Sequence, residues 1–555
     1  MTKYRQALLL LLPATAVAAF PFFSSFDIPK AVVAGCVLAP LIILAIWGRQ
    51  PRWDSLDLVA AAYLIVSVPA YLAGGFVLDS LVQLHLDLAA VASFVVTRRA
   101  VTQRNESNTL WWFSGAGAMV GAFFLLERLV PPWPELGALS GSSTLGNPDL
   151  VAEFAAFCLP ATLALALATA SKRGRWWTRV PAVVLGFCLL WIQLVLASAT
   201  AWVASAVALL VMAGFAVRRR FLRLPGAVVV VLIVLAIGAV VAGVSFTDQA
   251  KARWYLYRLS AGAALDKPVL GHGAGTFPAV FMGAQGRYLA DHREDSGLWT
   301  NARHAHNQFL HLWVERGVGP IIVLLLLAGL CVRRTLQHRN REQAWVLATL
   351  AVCLALFSGS ITWKLVPVRL GFFILLGLCA GKPGPWSRPI GRWRFAAGAI
   401  IVAYLAIFPI WRGLGDVLFT RGHYEASLSV NPLNGRTQFF RGLTLQDQGD
   451  LERGCQLLET SQAVYPNLST LLALGNCKLH LEQYQEAQRW YLAAIRWKPT
   501  YSLAYANLAA LYRRQGKLEL SARHIIRARS LNPANQTIRR IFTQVCKDNR
   551  HCQEN

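Results

Sequence analysis

Residues 301–320 read Asn-Ala-Arg-His-Ala-His-Asn-Gln-Phe-Leu-His-Leu-Trp-Val-Glu-Arg-Gly-Val-Gly-Pro, and Ile-Ile-Val-Leu-Leu-Leu-Leu-Ala-Gly-Leu-Cys-Val follows to 332. A polar block rich in ionisable groups turns here into an apolar run long enough to cross a bilayer as a helix. Similar runs recur near 6–23, 31–47, 57–78, 81–97, 108–130, 150–170, 180–198, 200–217, 225–245, 316–332, 343–362, 365–380 and 395–411. The span at 81–97 is the weakest of the thirteen, because it is short and holds His85 and Asp87. At 55% hydrophobic residues over 555 positions, the chain is too apolar for a soluble protein of this length. Lys3 and Arg5 ahead of an apolar run suit a signal peptide, but no small-residue cleavage site follows, and the stretch reads as a first uncleaved helix. The expected fold is all-α: a polytopic helical membrane domain over 1–411, with a large outer loop at 246–307.

The net charge of +26 would suit a nucleic-acid partner, but its distribution points elsewhere. Arg49/Arg52, Arg98/Arg99/Arg104, Lys172/Arg173/Arg175/Arg179, Arg218/Arg219/Arg220/Arg223, Arg333/Arg334/Arg339/Arg341 and Lys382/Arg388/Arg392/Arg394 fall in alternate loops. The loops between are nearly free of Lys and Arg, except for the long one. This alternation follows the positive-inside rule. It excludes nucleic acid as the reason for the charge and predicts a cytoplasmic N-terminus. The long loop and everything after 411 are then expected outside.

After 411 a repeat begins. Pro432, Pro466, Pro499 and Pro533 stand 34, 33 and 34 residues apart, with turns at 448–450, 482–484 and 515–517 between them. Small residues such as Gly442, Gly475 and Ala509 recur where helices must approach closely. A 34-residue helix-turn-helix period resembles the tetratricopeptide repeat and predicts an α-solenoid over 415–545, outside the membrane. Such a surface offers an envelope protein a docking site, or serves as a structural lid. Cys455, Cys477, Cys546 and Cys552 lie in this region. They are readable as two disulfides, Cys455–Cys477 and Cys546–Cys552, or as unpaired thiols.

Chemistry concentrates in the outer loop. Arg253 and Tyr257 are four residues apart and share a helix face, with Arg258 on the next stripe. Gly271, Gly273 and Gly275 allow a tight backbone path, and no strand precedes them as a dinucleotide-binding turn would need. Arg287, Arg293 and Arg303 add positive charge where an outer loop usually avoids it. Guanidinium forks suit phosphate or diphosphate, and anionic lipid headgroups are the plainer reading. At the loop's end, His304, His306, His311 and Glu315 provide proton-transfer groups. Their spacing does not suit a helical zinc site, and no metal or other cofactor is expected.

In this order the segments resemble the O-antigen ligase and polymerase superfamily, which includes O-linked protein oligosaccharyltransferases. The resemblance covers about 6–411. Gly146-Asn147-Pro148-Asp149 is similar to the family's Gly-Asn-Pro-Asn loop, and Arg253 through Phe277 to its Arg-x-x-x-Trp…Pro-x-x-Gly-x-Gly-x-x-x-Phe stretch. His306-Asn307 with Leu310, Glu315 and Gly317 is similar to the signature at the loop's end. Ser198-Ala199-Thr200-Ala201-Trp202 departs from the family's Ser-Arg-Gly-x-Trp, since alanine stands in the arginine's place; Gly319-Pro320 also departs from the usual later glycine spacing.

The resemblance implies a bacterial inner-membrane enzyme that moves a glycan from an undecaprenyl-diphosphate carrier to an acceptor hydroxyl on the periplasmic face. The acceptor is a glycan, a lipid or a protein. Arg253 would meet the diphosphate and His306 would be the acceptor base. Asn147, Asn307 and Glu315 would line or position the site. Arg258, Arg287, Arg293 and Arg303 are the substrate-binding arginines available to replace the one missing at 199. Periodicity favours a different histidine: a helix beginning at His304 puts His304, Asn307, His311 and Glu315 on one face. A helix beginning at Asn307 leaves His306 in the loop. The alternative function is a non-catalytic membrane scaffold that recruits partners through its repeats, and Ala199 favours it.

Overall fold

The computed structural model describes residues 11–18, 27–47, 52–75, 77–100, 106–129, 145, 147–170, 180–217, 248–338, 343–383, 388–389, 393–547 and 552. The regular structure of these residues is helical, apart from a two-residue antiparallel pairing of Arg52–Trp53 with Arg388–Pro389. Two compact units are present. The first comprises 1–257, 267–274 and 304–417; the second comprises 258–266, 275–303 and 418–555.

Among the described residues, six helices are long and apolar enough to cross a membrane: Ser55–Ala73, Leu78–Arg99, Thr109–Glu127, Pro148–Leu167, Gly319–Gln337 and Phe395–Thr420. Val180–Leu196, Ala199–Phe215, Ala344–Gly359 and Val366–Ala380 are shorter apolar helices. Asp27–Trp47 covers the second expected span. The ninth expected span, 225–245, lies outside the described residues, as does most of the first. Val366–Ala380 is buried on nearly every face, as expected of a helix apolar all round at the centre of a bundle.

The weakest expected span turns out to hold the bundle together. Asp87, in the helix Leu78–Ala100, is fully buried. Its carboxylate accepts from Arg316 at 2.5 Å, Arg369 at 3.4 Å, Tyr63 Oη at 3.2 Å and Tyr71 Oη at 2.5 Å. Four helices meet at this one charge: Ser55–Ala73, Leu78–Ala100, Gln308–Arg316 and Val366–Ala380. A carboxylate deep in an apolar bundle is tolerated when paired and hydrogen-bonded in this way. His85, on the same helix, packs against the rings of Tyr404 and Phe408 instead. Arg98 is also structural. Its guanidinium pairs with Asp54 at 2.6 Å and Asp57 at 2.8 Å and donates to Gly381 O.

The second unit contains the repeats. Its helix pairs are Gly435–Asp447 with Leu451–Val464, Leu468–His480 with Tyr484–Trp497, and Ser502–Arg514 with Leu518–Leu531; Gln536–Cys546 closes the series. Each repeat proline stands just past a helix end, where it cannot interrupt the ladder. Asn434, Asp450, Asn467 and Asn535 cap the helices that follow them by accepting a backbone N–H. Gly475 has a packing reason: a Cβ there would lie 2.3 Å from the Tyr491 ring. Cys455–Cys477 and Cys546–Cys552 are both disulfides, with Cα separations of 5.8 and 5.5 Å.

The second unit also holds the middle of the expected outer loop. The helix Phe277–Asp291 packs on Tyr484–Trp497, and a Cβ at Gly286 would sit 2.1 Å from Arg496 O. Trp299 Nε1 donates to Trp497 O at 3.2 Å, and the Arg303 guanidinium lies over Tyr465, 4.3 Å from the ring centre.

Removing the charge at the centre of the bundle leaves two buried guanidinium groups uncompensated. Asp87→Ala should therefore destabilise the protein by about 3–5 kcal/mol. Thermal unfolding of the detergent-purified protein checks this; an unchanged midpoint would mean that Asp87 carries none of the bundle's stability.

Candidate active site

Four segments of the first unit converge. The helix Asp248–Asp266 brings Arg253 and Tyr257 one turn apart onto the same face. Arg253 Nη1 lies 3.4 Å from Thr200 Oγ1, and Tyr257 Oη donates to the His306 carbonyl at 3.0 Å. Thr200 sits at the start of the helix Ala199–Val217, next to Ala199. A hydroxyl, not a second guanidinium, therefore meets Arg253.

The helix Gln308–Arg316 begins at an N-cap, Asn307, whose Oδ1 accepts from Leu310 N at 3.0 Å. Asn307 Nδ2 donates to Ser358 O at 2.9 Å, which ties this helix start to Gln343–Gly359. His304 and His306 therefore both precede the helix. His306 has φ of 50°, in the left-handed region that a non-glycine residue enters only when its neighbours fix it there. The fixing groups are Tyr257 at its carbonyl and the Asn307 cap that follows. Its side chain is exposed, yet neighbouring groups desolvate it in part. That desolvation, reinforced by the Arg253 charge and opposed by Asp149, holds the imidazole below the ordinary histidine range. A neutral imidazole at neutral pH is able to accept a proton.

The fourth segment opens the helix Pro148–Ala170. Asn147 Oδ1 accepts from Asp149 N at 2.8 Å, closing the turn before the helix. Asn147 thus shapes the loop, while Gly146 lies outside the described residues. One turn further, Glu153 is 2% exposed and accepts from Ser360 Oγ at 2.5 Å and Thr362 Oγ1 at 2.8 Å.

The glycine-rich stretch braces these segments. Gly271 and Gly273 have φ of 70° and 116°. A Cβ at Gly271 would lie 2.4 Å from the Glu315 backbone, and one at Gly273 would lie 2.7 Å from Gly74 N. His272 N and Gly273 N donate to Val314 O and Glu315 O, both at 2.9 Å. The loop therefore runs along the end of the histidine-bearing helix, backbone against backbone.

Glu315 is buried, not open to a substrate. Its carboxylate accepts from Gln83 Nε2 at 2.8 Å and lies 3.5 Å from His311 Nε2. His311 is pushed down to about 4, mainly by burial. His304 has its ring 5.3 Å from that of His311 and so belongs to this supporting layer.

The other four arginines named from the sequence belong to the second unit. Arg258 lies over the Tyr288 ring, Arg287 is 3.7 Å from Asp266, Arg303 covers Tyr465, and Arg293 lines a cavity described below. Sequence reasoning missed Glu153, Thr200 and the Ser360/Thr362 pair. Glu153 had a readable signal, a carboxylate inside an apolar span. The hydroxyls had none.

A comparison with known families meets this geometry. Residues 181–328 match the family model described as O-antigen ligase. That segment is similar to O-antigen ligases. The matched segment contains Thr200, Arg253, the glycine-rich stretch and His306. Residues 468–501 match a model described as tetratricopeptide repeat. No curated protein matches the chain. Among solved structures, the MamA RS-1 double mutant is 19% identical, with 26% of this chain and 86% of that chain covered and a TM-score of 0.23. The Cut9–Hcn1 hetero-tetramer of APC/C is 12% identical, with 94% and 90% covered and a TM-score of 0.23. Neither likeness, at such a score, bears on the fold. The chain thus combines membrane-span-capable helices, a segment similar to O-antigen ligases and a segment similar to tetratricopeptide repeats.

The depressed basicity of His306 is directly measurable. Its carbethoxylation by diethyl pyrocarbonate, followed by mass spectrometry, should reach half its maximal rate below pH 6.5. Arg253→Ala removes a positive neighbour and should move that half-point upward. A half-point at or above 6.5 in the wild type, or a downward move in the variant, would contradict the electrostatics.

Proposed function

We propose that the protein transfers a glycan from an undecaprenyl-diphosphate carrier to an acceptor hydroxyl on the outer face of the bacterial inner membrane. The acceptor oxygen attacks the anomeric carbon of the carrier-linked sugar from the face opposite the diphosphate. The new glycosidic bond forms as the bond to the diphosphate oxygen breaks, so the anomeric configuration inverts. His306 accepts the acceptor's proton. Arg253 meets the charge that grows on the departing diphosphate, where a fixed guanidinium is most effective. Tyr257 and Asn307 hold His306 in place. This chemistry needs no nucleotide and no metal cofactor, because the leaving group arrives activated and the arginine supplies the positive charge.

One observation carries this reading. Tyr257, one turn from Arg253 on the same helix, holds the His306 carbonyl at 3.0 Å, so that imidazole and guanidinium are tied together within the segment that matches the O-antigen ligase model. Two disulfides among the repeats suit the oxidising side, with the N-terminus in the cytoplasm. The repeats would recruit an envelope protein or hold a growing acceptor. The scaffold alternative draws on Ala199, since only one of the family's two arginines is present.

His306→Ala should lower glycan transfer by roughly 10²–10⁴-fold while membrane insertion is unchanged. Arg253→Lys keeps the charge but loses the planar fork, and should cost on the order of 10²-fold. Both are read by a transfer assay on reconstituted protein with lipid-linked glycan. Full activity in His306→Ala would remove the proposed base, and absence of any transfer by the wild type would favour the scaffold.

A further inference from the structure

The second unit contains a cavity of about 670 Å³, within the size range of small-ligand sites. One wall is the helix Phe277–Asp291 with the turn after it, and the other is built by the repeat helices Tyr484–Trp497, Ser502–Arg514 and Leu518–Leu531. The close contact of Gly286 with Arg496 O joins the two walls at one edge. Four arginines line it, Arg287, Arg293, Arg496 and Arg527, and no acidic residue does. Among the described residues, no ion pair to Arg293, Arg496 or Arg527 is present, and all three are exposed. Arg287 shares a loose contact with Asp266, and both side chains are mostly solvated. Between the guanidinium groups the lining is apolar and aromatic, with Trp497 and Tyr505 among its residues.

Four like charges gathered round one concavity repel one another unless an anion is present. Guanidinium forks prefer carboxylate or phosphate oxygens, and apolar or aromatic walls suit the C–H faces of sugar rings. The concavity is compact, where a long extended peptide would need an open groove. We propose that this cavity is a binding site for an acidic oligosaccharide, one that carries carboxylate or phosphate groups. The identification of the anion as a sugar rests on the glycan-transfer reading above; the anion preference rests on the cavity alone. The site would hold a negatively charged stretch of donor or acceptor glycan on the repeats. The outer-loop helix, five of whose residues line this cavity, would then contribute to glycan selection.

The test uses the full-length protein in detergent and four probes titrated by calorimetry: trigalacturonate, maltotriose, pentaglutamate and inorganic phosphate. Trigalacturonate should bind saturably and at least about tenfold more tightly than each of the other three, and Arg496→Gln/Arg527→Gln should weaken it by about tenfold or more. Its affinity should also fall with added salt. Equal binding of maltotriose would remove the charge requirement. Equal or tighter binding of pentaglutamate would make the cavity a peptide site, and equal binding of phosphate would make it a bare anion site. Unchanged affinity in the double variant would place the ligand elsewhere. Each of these overturns the proposal. Binding is scored without turnover, so a protein that transfers glycan yet fails to bind trigalacturonate refutes only the cavity. One that binds it selectively yet never transfers glycan refutes only the enzymatic reading.

Discussion

The first unit depends on one buried charge. Asp87 lies in the middle of an apolar helix and is neutralised by guanidinium groups from two other helices, with two tyrosine hydroxyls completing its shell. An isolated carboxylate at that depth would be prohibitive, so the helices that supply its partners have to assemble around it. Arg316 is the partner that links this charge to the candidate site. It ends the short helix Gln308–Arg316, and its other nitrogen donates to Gln83 at 2.5 Å. The end of that helix is thereby pinned inside the bundle, and its beginning carries the histidine-bearing loop.

From this anchor the geometry of the candidate site follows in steps. Glu315, next to Arg316, is engaged by Gln83 and His311, so both ends of the Gln83 amide clamp the helix. The glycine-rich stretch lies along the helix end by backbone hydrogen bonds that a side chain at Gly271 or Gly273 would prevent. Asn307 caps the other end and reaches Ser358. His306, one residue earlier, has nowhere to go but a left-handed turn, with its carbonyl held by Tyr257. The strain at His306 is affordable because the surrounding bonds over-determine it.

Much of this was legible in the sequence, and the reasons are local. The repeat prolines mark helix ends because proline cannot continue a ladder. Arg253 and Tyr257 share a face because they are four apart. The two candidate helix starts near 304 and 307 were separable only by the cap, and Asn307 is a good N-cap residue. What was not legible is non-local. Asp87 looked like a reason to doubt a span, because nothing in the sequence places Arg316 and Arg369 beside it. The loop arginines Arg258, Arg287, Arg293 and Arg303 looked like a single phosphate-binding set with Arg253. Their assignment to the unit of the repeats follows from the packing of Gly286 against Arg496, some two hundred residues later in the chain. Glu153 could have been found, since a carboxylate inside a span asks for partners, but Ser360 and Thr362 could not have been named as those partners.

The most direct test of the account is the stoichiometry of carrier release. The purified protein is placed in liposomes with a defined undecaprenyl-diphosphate-linked oligosaccharide, a hydroxyl acceptor and a metal chelator, and both products are quantified by mass spectrometry. The account predicts free undecaprenyl diphosphate and glycosylated acceptor in equal amounts, with the new glycosidic bond inverted relative to the donor. Retention of configuration, or a strict need for divalent metal, would contradict a single displacement assisted by His306 and Arg253.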